Sequence, residues 1–256
     1  MHRCGGQSSL GVGIGLLVLG AALVIPFSDA RASGQDCSLE GTFQTLQAVQ
    51  DHPLSNYDDT VKAELAARKN LLNAVLNCAV AETETLKGSI AALPADDQAS
   101  KNLQSQFASK FDEAIGYYQF QKSRVSDLGL EGTKEFARNL KEWRSAVYAP
   151  LSQQAANFII WTKNQTLFET AQNRFGQIKR TLTLLKLADD ETIQKLLRNA
   201  DADLRAASES NDRAREALQR FGAPDDSSSL IKDTLSSLAA TYQTFFDIAN
   251  ALGKTR

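Results

Sequence analysis

Histidine is nearly missing from this chain, with His2 and His52 the two copies in 256 residues. His2 falls in the leader read below as cleaved, and the single histidine then left excludes a paired-histidine metal site and the Glu-x-x-His pairs of di-iron bundles. It also leaves any Ser-His-Asp triad resting on one turn residue, His52, with no nucleophile motif nearby. Cys-x-x-Cys and a glycine-rich phosphate loop are absent too, and no carboxylate pair sits in the apolar setting that would split two pKa values for acid–base work. The expectation is a non-enzymatic protein with no cofactor and no bound metal.

Charge of one sign is also scarce. The chain carries 28 basic and 30 acidic side chains, without a run long enough to form a polyelectrolyte tail. A near-neutral balance argues against a nucleic-acid partner, whose phosphates favour a clustered basic surface.

The one long hydrophobic run is at the start. Met1-His2-Arg3 opens basic, the 18 residues from Leu10 to Phe27 are uncharged, and Ala30-Arg31-Ala32 offers a small-x-small cleavage pattern. Residues 1–32 therefore read as a signal peptide cut before Ser33, which places the mature protein in the periplasm or outside the cell. An uncleaved anchor is the competing reading, and it would be the chain's only membrane contact. Loss of Arg3, Arg31 and Asp29 takes the basic and acidic counts from 28 and 30 to 26 and 29, a net charge of −3.

Export puts Cys37 and Cys78 where disulfides survive. If the first helix starts near Thr42 and turns at Pro53, residues 37–41 run back beside the second helix for roughly 16 Å. That reach, equivalent to about eleven helical residues, brings Cys37 close to position 76 and predicts a Cys37–Cys78 bond.

Beyond the leader nothing alternates with period two, so the fold class is all-α: an elongated antiparallel bundle of five long helices and a short one. The expected helices are Thr42–Gln50, Tyr57–Leu93, Asp97–Leu128, Thr133–Lys186, Asp190–Phe221 and Ser227–Leu252. The fourth is the organising element. Its stripe of Phe136, Leu140, Trp143, Val147, Leu151, Ala155, Phe158, Trp161, Phe168, Ala171, Phe175, Ile178, Leu182 and Leu185 advances in threes and fours. Pro150 interrupts it without shifting its phase, so a kink is expected there rather than an end. The mature domain, 33–256, reads as one bundle or as two lobes sharing the helix 133–187. Thr133 reads as that helix's N-cap and Gly129 as the left-handed residue ending the third helix. Folding about 129–132 sets Tyr118 opposite Trp143.

The last helix repeats a heptad at Ile231, Leu235, Leu238, Tyr242, Phe245, Ala249 and Leu252. Four acid pairs, at 58–59, 96–97, 189–190 and 225–226, stand at helix starts. Capping accounts for them better than calcium, which would need further oxygen ligands at set spacing.

Candidate contact residues are Trp143, Tyr148, Trp161 and Gln165, with Arg144, Asn164 and Arg174 beside them in sequence. Aromatic and amide groups among helices can line a ligand slot. Equally, the tryptophans can be core, with Gln165 and Asn211 fixing helix register. Two functions follow: an exported interaction or scaffold module with a protein partner, or a small-ligand sensor or carrier with its pocket near Trp161.

Overall fold

The computed structural model describes residues 37–95, 97–221 and 226–254, with side chains through Leu252. The leader and its cleavage point, Asp96, and residues 222–225 with Pro224 lie outside the described residues. Among the described residues there are six helices and no strand. They are α1 (Glu40–Asp51), α2 (Tyr57–Ala91), α3 (Gln98–Arg124), α4 (130–184), α5 (Glu191–Leu218) and α6 (Ser227–Lys254). The all-α class and the helical bundle are those expected, and α4 is a single helix of 55 residues.

The helix starts show why these segments begin where they do. The Asp97 carboxylate accepts the Ser100 N–H at 2.6 Å, and that of Asp190 accepts the Ile193 N–H at 3.0 Å. Each satisfies a donor that the first helical turn leaves free. At α2 the capping oxygen belongs to Asn56, which takes the Asp58 N–H at 3.1 Å, while Asp58 and Asp59 stand in the first turn.

The start of α4 corrects two expectations. Thr133 is not the N-cap: the helix begins at Leu130, and the buried Thr133 hydroxyl donates to the Leu130 carbonyl at 2.6 Å. Gly129 has φ −85° and is not left-handed, because α3 closes instead through a 3₁₀ turn at Val125–Asp127. A left-handed residue does close α4. It is Lys186, φ 58°, with Leu187 N–H on the Leu182 carbonyl and Lys186 N–H on the Thr183 carbonyl. That pair of bonds is a Schellman ending.

Pro150 does not break α4 either, but the irregularity sits one turn earlier than expected, as a π turn over Arg144–Tyr148. Proline cannot bond the carbonyl of Ala146, and the wide turn stands immediately before it. The buried stripe also takes a different path here. After Leu140 the inward positions are Arg144 and Tyr148, not Trp143 and Val147, and Val147 is 48% exposed.

The chain forms two compact units. One holds the residues up to Thr85 with Phe111–Tyr148; the other holds Leu86–Lys110 with the residues from Ala149 onward. In the second unit, α5 runs antiparallel to α4, with Ala200, Leu204 and Ala207 against Ala171 and Phe175. Parallel to α4 runs α6: Phe245 stacks on Phe175 with centroids 6.2 Å apart, and Ile248 meets Leu182.

The Asp97 cap carries a pH signature. The Ser100 N–H holds its carboxyl below the usual aspartate range against a smaller opposing effect of burial. Because the folded value is the lower one, this stabilisation is present above the unfolded value and lost as pH falls through the folded one. Asp97→Ala should therefore cost about 1 kcal/mol at neutral pH. Thermal unfolding should show the gap from wild type narrowing as the solution is taken below about pH 4.

Candidate functional site

The sequence candidates fall into different compact units. Trp143 and Tyr148 belong to the first, Trp161 and Gln165 to the second.

In the first unit the π turn presents a charge to the interior. Arg144 is buried and donates to the Tyr118 hydroxyl at 3.1 Å and to the Glu82 carboxylate at 3.0 Å. Its guanidinium also lies 4.9 Å from the Tyr148 ring centroid and 5.8 Å from that of Tyr118. Burial raises both tyrosine pKa values, so both rings stay neutral beside the ion pair. The Tyr148 hydroxyl is buried without a well-formed hydrogen bond. Trp143 packs edge-on to Tyr118 at 5.2 Å, the pairing expected from the turn, and stacks on Tyr117 at 3.8 Å. This is an aromatic cage that holds a salt bridge, with its cation already occupied.

The expected disulfide is not formed: Cys37 and Cys78 are both free thiols. They do meet, and burial, the hydrogen bond to Cys37 and the negative charge of Glu82 together push the Cys78 thiol up to about 12. Chain reach fixes proximity, whereas removal of two electrons is a separate chemical step.

In the second unit Gln165 and Asn211 bond reciprocally, amide to carbonyl, at 2.8 and 3.3 Å. The Trp161 indole N–H donates to the Asn211 carbonyl at 3.2 Å, and Trp161 is 3% exposed. These residues lock α4 to α5 in register. Asn164 is buried in the same stretch, with its amide nitrogen unpaired.

A cavity of about 520 Å³ lies elsewhere in this unit, two to five turns further along α4. One wall is Arg174, Gln177, Ile178, Thr181 and Leu182 of α4; the other runs from Tyr242 to Leu252 of α6. Its origin is a rotation of α6. Thr234, Thr241 and Thr244 take inward positions, each hydroxyl donating to the carbonyl four residues back at 2.9 to 3.1 Å. Satisfied in this way, a threonine can be buried without another partner. The expected heptad is then only partly inward: Ile231 and Leu238 are buried, and its other members are not. Leu235 is 38% exposed, Ala249 is exposed, and Tyr242, Phe245 and Leu252 are only half buried. Phe246, just off the heptad and 65% exposed, completes the wall. Of these residues the sequence singled out Arg174 as a candidate; the apolar wall was read as core.

Among the described residues no group of three or more His, Cys, Asp or Glu side chains could hold a metal ion. No described helix is long and apolar enough to cross a membrane. No family model matches the chain, and no curated protein or solved structure is significantly similar to it.

The Arg144–Glu82 pair is partly desolvated, so its coupling should be measurable. A double-mutant cycle of Arg144→Met and Glu82→Gln, read by urea unfolding, should return a coupling of about 1–2 kcal/mol. Arg144→Met should be the more costly single change, since it strips the donor from both Glu82 and Tyr118.

Proposed function

We propose that this chain is an exported, non-catalytic binding protein that takes an apolar small ligand into the groove between α4 and α6. The observation that carries the reading is the groove itself: about 520 Å³, walled by Ile178, Leu182, Phe245, Ile248 and Leu252. That volume is in the range of small-molecule sites, and apolar walls with few polar groups are their usual chemistry. The sensor or carrier function inferred from the sequence thus moves from Trp161 to the stretch Arg174–Leu182.

The neutral dye N-phenyl-1-naphthylamine should bind with increased fluorescence. Ala249→Trp, a change at an exposed position on the groove wall, should abolish that binding while leaving the helical circular dichroism intact. A dye that fails to bind, or binds the variant equally, overturns the assignment. Scaffolding through a macromolecular partner is the second reading. It is favoured by Ile160 and Leu167, which share one face of α4 seven residues apart and are 45% and 49% exposed. Failure of the dye together with cross-linking to a partner through these two residues would turn the choice to it.

Export and oxidation belong to the same proposal. In an oxidising compartment an incoming disulfide would exchange with the Cys37 and Cys78 thiols, forming their bond and releasing two reduced thiols. Protein recovered from the native envelope should begin at Ser33 and show no free thiol when unfolded without reductant. Retention of residues 1–32, or two titratable thiols, would refute these two points respectively.

A further inference from the structure

Among the residues that line the groove, Arg174 carries the only charge, and it stands at one end. From Arg174 to Leu182 the α4 wall runs eight residues, about 12 Å. Because α4 and α6 are parallel, Tyr242 lies at the Arg174 end and Leu252 at the Leu182 end. The Arg174 guanidinium sits 5.5 Å from the Tyr242 ring centroid. It makes no hydrogen bond or ion pair with any described residue, so its N–H groups are available to an incoming acceptor. Away from it the walls are mainly Ile178, Leu182, Ile248 and Leu252, with Gln177 and Thr181 the neutral polar side chains and no carboxylate among the lining residues. The groove therefore has a cationic end and an apolar end.

We propose that the groove binds a single-chain amphiphile with an anionic head, such as a medium-chain carboxylate. The head would pair with Arg174 and the hydrocarbon tail would lie between α4 and α6 toward Leu182 and Leu252. Arginine suits the head because its planar fork can give a carboxylate two parallel hydrogen bonds. The tail buries apolar area on both walls, over a floor where Leu182, Ile193 and Ile248 meet. A partner helix is a poorer fit: about 12 Å is little more than two helical turns, and helix-in-groove contacts use anchors spread over more. This ligand class rests on the groove reading above, and the test separates the two.

Titration calorimetry below micelle-forming concentrations would compare straight-chain carboxylates, octanoate to tetradecanoate, with the alcohols of matching length. Each added methylene should tighten binding by about fourfold until the groove is filled. Carboxylates should bind about fivefold more tightly than their alcohols. Arg174→Gln should remove that preference while leaving the chain-length slope and the alcohol affinities as they were. Equal binding of acid and alcohol, unmoved by Arg174→Gln but blocked by Ala249→Trp, overturns the anionic-head assignment and leaves the groove reading standing. Carboxylate binding untouched by Ala249→Trp, or no binding of either series, overturns this proposal; if the neutral dye also fails, the groove reading falls with it.

Discussion

A helix that must continue past a proline sets the terms for much of this structure. Pro150 denies the carbonyl of Ala146 its partner, and the backbone answers with a π turn immediately before it rather than with an end. Through this stretch the buried side of α4 runs Phe136, Leu140, Arg144, Tyr148, in steps of four. A position that straight periodicity would give to Val147 goes to Tyr148, and one it would give to Trp143 goes to Arg144. A guanidinium directed into the interior needs counter-charge and hydrogen-bond acceptors. Glu82 supplies the first, and the Tyr118 hydroxyl supplies the second. The polar cluster in the first unit sits at the wide turn, directly before the proline.

Polar groups in the second unit solve a different problem. Alanines at Ala200, Ala207 and Ala214 bring α5 close to its neighbours but say little about which turn meets which. The reciprocal Gln165–Asn211 amide pair does, because a shift of one turn would leave both amides buried without partners. Trp161 is drawn into the same lock through its indole N–H, which is why the most conspicuous aromatic of α4 is structural.

The groove arises because α6 has more apolar surface than its neighbours can cover. Threonines that bond their own backbone are cheap to bury, and they share the inward face of α6 with Leu230, Ile231, Leu238 and Ile248. Its aromatic residues then stand at the side, where Phe245 still reaches Phe175 but Phe246 faces outward. A surface of that kind is unfavourable in water unless something occupies it. Among the lining residues the one cation, Arg174, stands at one end.

Local signals in the sequence determined the helical class, the six segments within a few residues, and the caps at Asp97 and Asp190. Those depend on neighbours three or four residues apart, and such spacings are written directly in the chain. Two longer-range contacts were also legible, Tyr118 with Trp143 and Cys37 near Cys78, because short turns fix what lies opposite. Tertiary structure alone decided that α4 widens before Pro150, that Arg144 pairs with Glu82 across 62 positions, and that α6 turns its threonines inward. Each is a competition between faces of a helix for the same neighbour. Its outcome depends on packing and hydrogen-bond satisfaction across helices, which no periodicity within one of them records.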